Sequence, residues 1–244
     1  FSCVAMQFLL QLEKQPDILH LHDWHTSLIA LLCQKNNCKL KSVLTIHNLA
    51  HQGTCSISTL FKLGKDLLKD LDFSDSLNLL ETGIIYADCV AIVSPNYQKE
   101  IQTPEGGCGL DGVLREYQKK LVSILNGIDQ DYWNPTKDPY LKRNYPINEL
   151  ESVLKAKLEN KYYLQKHLFL TQENVPLISC ITRLVPQKGP DLIEYGMIRT
   201  LELGGQFVLL GSVSQSNNHI EEQFASLQEK YRNDNRIAIL LIND

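Results

Sequence analysis

Short runs rich in Val, Ile and Leu recur along the whole chain, at 18–21, 42–46, 89–93, 121–125, 177–181, 207–210 and 237–242, and helix-patterned stretches such as 27–34, 95–101 and 191–203 stand between them. Each run has strand length and little polar alternation, which is the pattern of strands buried on both faces. Strand, helix, strand repetition leaves few topologies open. It predicts an α/β fold with parallel sheets, in Rossmann-like lobes.

The rhythm breaks once. Residues 126–146 are dense in Asn, Asp, Pro and Gly, the composition of a loop or linker, and a long amphipathic stretch at 147–170 follows. The boundary between two lobes is therefore expected here, giving domains of 1–145 and 146–244. Phe1 opens into helix-like sequence and the chain stops just after an apolar run, so both lobes read as truncated.

Composition narrows the function classes. Net charge is −4 with Lys and Arg scattered, which argues against a nucleic-acid footprint while allowing local cations for a small anionic ligand. No apolar run approaches the roughly 20 residues that span a bilayer, which argues against a membrane partner. The seven cysteines are odd in number, lack a CxxC pair, and read as reduced thiols rather than a zinc site.

Four polar clusters follow predicted strands, where open parallel sheets bind their ligands. The first runs from His20 to His25. Asp23 can orient an imidazole, and His25 falls near a helix N-terminus that favours anionic or hydroxyl-rich ligands. The order HxHDxH is not the HxHxDH of metallo-hydrolases, and His20 reads as a hydrogen-bonded core group. In the second, 45–53, Asn48, Gln52 and the imidazoles suit sugar hydroxyls, though the composition fits a plain turn equally well. The third couples Ser94-Pro95 to TPEGGCGLDGVL (103–114), whose glycines imply tight turns and whose order is not that of a phosphate loop. The fourth, 182–189, sets Arg183 and Lys188 before a helix. Two fixed cations there can receive a diphosphate and neutralise its charge as it departs, unless they are simply solvated.

Read together, HDWH (22–25), TIHNLAHQG (45–53), VSPNYQKEI (93–101), GLDGVL (109–114), LNGID (125–129) with WNP (133–135), and TRLVPQKG (182–189) closely resemble the bacterial glycogen synthase and plant starch synthase family. The resemblance extends from about residue 17 to about residue 212. It implies a GT-B fold, with two Rossmann-like lobes facing a cleft. It implies glucose transfer from ADP-glucose or UDP-glucose to the non-reducing end of an α-1,4-glucan, with retention, no cofactor and no catalytic metal. Carried over by position, His25 lies beside the transferred glucose, and Asp23 and Trp24 shape that wall. Asn126 reaches toward the donor, Arg183 and Lys188 grip its diphosphate, and Gly211 lets the nucleotide approach the backbone. The compartment implied is bacterial cytoplasm or plastid stroma.

The sequence departs from the family in three respects. The family's KxGGL loop and its downstream Glu-containing donor motif are not in this sequence, and His51 stands where Tyr is common. The piece as given is accordingly expected to be inactive or nearly so. Another GT-B sugar-nucleotide transferase, and a non-catalytic glucan-binding product, remain the alternatives.

Overall fold

A computed structural model describes residues 1–56, 58, 59, 76–213 and 218–243. Contacts divide the chain into two units, Phe1–Ile128 and Asp129–Asp244.

In the first unit the order is α1 (Ser2–Gln11), β1 (Ile18–His22), α2 (Asp23–Lys35), β2 (Lys41–Ile46), β3 (Thr54–Ser56), β4 (Ser76–Asn78), α3 (Leu79–Tyr86), β5 (Cys89–Ile92), α4 (Pro95–Glu100), α5 (Asp111–Glu116) and β6 (Leu121–Ser123). Strands β1, β2, β5 and β6 form a parallel sheet in that order, and β3 pairs with β4 as an antiparallel ribbon. Helix α2 supplies much of the core because its apolar residues are nearly continuous: Leu28 through Cys33 are all buried, with Leu31 and Leu32 wholly so. They pack with Leu44 and Ile46 of β2, Leu80 and Ile84 of α3, and Val90 and Ile92 of β5. Gly83 permits a close approach of α3 to α2, since a Cβ there would come within 2.6 Å of the Ser27 Cβ. Helix α2 ends in a left-handed residue, Asn37 (φ 52°), where Asn37 N–H bonds the Gln34 carbonyl and Cys38 N–H bonds that of Cys33. This double closure is a Schellman turn.

At the start of β2, Asp88 accepts hydrogen bonds from Lys41 Nζ (2.7 Å), the Ser42 N–H (2.9 Å) and Ser42 Oγ (3.2 Å). Burial alone would raise its pKa, but the bonds from Lys41 and Ser42 together hold it below the usual carboxylate value. A carboxylate with a depressed folded pKa lends stability above its unfolded value, near 4, and loses it as pH falls through the folded value. The stability advantage of the native chain over Asp88→Asn should therefore be full at pH 6 and shrink below about pH 4. Urea unfolding from pH 6 to pH 2 checks this, and a gap independent of pH would contradict it.

In the second unit a loop leads to α6 (Leu150–His167), then β7 (Leu177–Arg183), a short 3-10 turn (Pro186–Lys188), α7 (Pro190–Glu202), β8 (Gln206–Val213), α8 (Asn218–Lys230) and β9 (Ile237–Asn243). The sheet is parallel, ordered β7-β8-β9, over a core that includes Leu184, Met197, Phe207, Leu209, Ile220 and Phe224.

Burial on both faces holds for the inner strand β5 but not for the sheet edges. β1 alternates exposed and buried residues, and on β7 Ile178 and Ile181 are 47% and 75% exposed. The unit boundary also falls at the start of the 126–146 loop rather than after residue 145. The loop folds through local Asn and Asp turns, as where Asp129 Oδ1 accepts the N–H groups of Asp131 and Tyr132. It is then tied to α6, because Arg143 N–H donates to Asn160 Oδ1 at 2.9 Å and the Arg143 guanidinium pairs with Glu159.

Candidate active site

In the first unit the sequence clusters meet at the carboxyl ends of β1 and β2. The chain leaves β1 at His22 and enters α2 through Asp23, which has φ 49°. A left-handed non-glycine residue is strained by about 1–3 kcal/mol and persists where its surroundings fix it. The fixing contacts are plain: Asp23 Oδ1 accepts the N–H of His47 at 2.7 Å and that of Asn48 at 3.3 Å. Asp23 thus pins the main chain leaving β2 rather than orienting an imidazole.

The imidazoles arrange themselves otherwise. His22 Nδ1 and His47 Nε2 are 3.1 Å apart, and His20 Nε2 meets Thr45 Oγ1 at 2.8 Å. His20 is hydrogen-bonded as expected, but on an exposed strand face and not in the core. Desolvation, then the neighbouring His20 and His47, keep His22 below the ordinary imidazole value.

Trp24 and His25 occupy the first turn of α2 with their rings stacked, centroids 4.0 Å apart and planes at 27°. His25 is exposed, and Ser2 Oγ donates to its carbonyl. The indole of Trp24 lies over Gly53, where a Cβ would fall 2.3 Å from Trp24 Cε3, and Gly53 itself has φ 64°. Asn48 Oδ1 caps its own turn by accepting from Ala50 N–H. Both ends of the Gln52 amide are engaged: Nε2 donates to the Cys108 carbonyl at 2.8 Å, and Oε1 accepts from Asn78 Nδ2 at 2.6 Å. Tyr97 Oη accepts the Leu49 N–H. These supports join the 45–53 loop to the 93–101 and 103–114 segments. Sequence reasoning singled out the segments that hold Tyr97 and Cys108 but not these bracing roles, and it did not find Asn78, since each partner lies far away along the chain. Asn126 is exposed just beyond Ile124, whose N–H still pairs with the Ile92 carbonyl, so it leaves the same sheet at its carboxyl end.

In the second unit Arg183 is the last residue of β7, paired in register with Ser212 of β8. The chain then makes its 3-10 turn, with Lys188 N–H on the Val185 carbonyl, and Gly189 (φ 65°) sets Pro190 as the first residue of α7. Arg183 and Lys188 are both exposed at this junction. A guanidinium and an ammonium at one strand-to-helix junction are complementary to a diphosphate. Gly211 is buried in β8, and a Cβ there would approach Leu184 Cδ1 to 2.6 Å. Packing against the wholly buried Leu184 therefore favours a small residue at Gly211.

Two parallel-sheet α/β units, each with its polar loops at the carboxyl ends of its strands, are architecture of the GT-B kind. A family described as the starch synthase catalytic domain matches residues 1–116. Probable starch synthase 4 of Arabidopsis thaliana is 41% identical over all of this chain and 24% of its own length. The glycogen synthase of Protochlamydia amoebophila is 40% identical over 99% of this chain and 52% of its own. Among solved structures, the catalytic domain of starch synthase IV from Arabidopsis thaliana bound to ADP and acarbose superposes with a TM-score of 0.87 at 41% identity, covering all of this chain and 51% of that one. Along its whole length the chain is thus similar to glycogen synthases and to starch synthase 4. It spans about half the length of the glycogen synthases it matches.

Proposed function

We propose that this chain carries part of the machinery of a glycogen or starch synthase. Glucose passes from ADP-glucose, with UDP-glucose as the lesser donor, to the non-reducing end of an α-1,4-glucan with retention. The observation that carries the reading is the junction of β7 with α7, where Arg183 and Lys188 flank a helix start. When the diphosphate departs, charge grows on its oxygens, and preorganised cations stabilise that charge without reorganising. Arg183 supplies a planar two-pronged donor and Lys188 a compact charge. The bound ADP named for the Arabidopsis structure supports a nucleoside diphosphate as the ligand class and adenine as its base.

His25 stands beside the glucose being transferred, with its ring backed by Trp24, and Asn126 reaches the donor. Asp23 holds the wall of this subsite through its backbone bonds. Asn48 and Gln52 present or brace the loop that meets sugar hydroxyls, and Gly211 sits under the nucleotide. No cofactor is assigned. Bacterial cytoplasm or plastid stroma is the compartment this reading implies.

Titrating the chain with ADP while following backbone amide resonances is the direct test. Shifts concentrated at 182–189, and reversed by inorganic pyrophosphate, are the expected result. Absence of any shift there at millimolar ADP would remove the diphosphate assignment.

A further inference from the structure

The Schellman turn at the end of α2 brings together two residues that the transfer reading does not use. In such a turn the residue after the left-handed position packs its side chain on the residue whose carbonyl accepts its N–H. Those residues here are Cys38 and Cys33, joined by a backbone hydrogen bond of 2.9 Å. With ordinary backbone bond lengths, a contact this short holds the two Cα atoms within about 7 Å. That span is within reach of a disulfide without backbone movement.

Access to the two sulfurs is unequal. Cys33 is 4% exposed, and its Sγ donates to Met6 Sδ at 3.7 Å. Burial, followed by the presence of Cys38, pushes the Cys33 thiol up to about 12. Cys38 is partly exposed and lines an opening of about 630 Å³ at the amino ends of the strands, bordered by Lys39, Lys41 and Lys120. It also borders a second opening of about 370 Å³, formed with Gln15 and Asp17. Cys33 lies in the wall of the same opening, as does Asp88, whose carboxylate pairs with Lys41, so a small disulfide entering it meets the more exposed Cys38 first.

We propose that Cys33 and Cys38 are a reversible thiol–disulfide pair, oxidised by exchange with a low-molecular-weight disulfide such as glutathione disulfide. Cys38 releases its proton, and its sulfur attacks one sulfur of glutathione disulfide. The disulfide bond breaks, and one glutathione leaves as a thiolate that takes up a proton. Cys33 then attacks the Cys38 sulfur of the mixed disulfide, its proton passing to the second departing glutathione. Two protein thiols are oxidised by two electrons, and one glutathione disulfide is reduced to two glutathiones. The buried Cys33 makes the second step slow, and its rate follows its thiolate fraction. The product locks the carboxyl end of the helix whose first turn holds Asp23 and His25.

The pair is tested on the native chain with glutathione disulfide, acid quenching, alkylation of remaining thiols and tryptic mass mapping. Cleavage after Lys35 and Lys39 places the two cysteines in different peptides, so a bond between them is seen as one cross-linked mass. The expected result is that this cross-link is the main intramolecular disulfide, forming about tenfold faster per unit rise in pH while Cys33 remains mostly protonated. Cys33→Ser should stop at glutathionylated Cys38, and Cys38→Ser should leave Cys33 unmodified. If glutathione instead accumulates on the exposed Cys108 while Cys33 and Cys38 stay as thiols, the proposal is overturned. Cross-links formed first between other cysteines would overturn it equally. The mapping of the native chain stands whether or not the variants fold, and it does not depend on transferase activity.

Discussion

Replacing Arg183 and Lys188 together with alanine is expected to weaken ADP binding about 100- to 10,000-fold, because each charged hydrogen-bonding group is worth about 1.5–3 kcal/mol and every 1.4 kcal/mol is a factor of ten. Single replacements should each lose about 10- to 100-fold. Arg183→Lys should fall between native and alanine, since it keeps the charge and loses the two-pronged geometry. Both side chains are exposed, so the unfolding free energy of the double variant should stay within about 0.5 kcal/mol of the native value. Calorimetric titration with ADP, set beside urea unfolding, separates the two effects. Native-like ADP affinity in the double variant would mean that the diphosphate binds elsewhere.

Gly53→Ala is expected to destabilise the first unit by about 2–5 kcal/mol. A side chain in the left-handed region accounts for about 1–2 kcal/mol of that. Overpacking against a fixed ring accounts for about 1–3 kcal/mol more. The obstacle is specific, since the new methyl group would fall 2.3 Å from Trp24 Cε3. Gly109 is the control: its φ is 82°, yet a Cβ there meets nothing within 4 Å. Gly109→Ala should therefore show only the conformational part. Urea unfolding followed by Trp24 fluorescence in a Trp133→Phe background checks both. Equal losses at the two glycines would show that the indole yields freely.

Much of the fold was legible because parallel strands are apolar, short and separated by helices. All seven expected runs are strands, and the helices expected at 27–34, 95–101 and 191–203 are there as α2, α4 and α7. The β3–β4 ribbon was not foreseen: its strands are three residues each, without an alternating pattern, and pair Thr54 with Asn78. Exposure of β7 was also illegible, since an edge strand can have the same composition as an inner one.

At the candidate site the residue types were readable but their roles were not. The sequence shows that Asp23 precedes Trp24 and His25. It does not show that the carboxylate faces the N–H groups of His47 and Asn48 across a strand gap. Gln52 reads as a sugar ligand until Cys108 and Asn78 are found at its two ends. Gly211 reads as a nucleotide glycine until Leu184 is found against it.

The seating of Trp24 over Gly53, together with the grip of Asp23 on the β2 exit, bears on protein engineering. Loops cannot be exchanged piecemeal between relatives at this end of the sheet. A chimera that imports the 45–53 segment must bring a matching α2 first turn with it, or the indole and the carboxylate will meet the wrong backbone. The two stretches are one transplantable cassette.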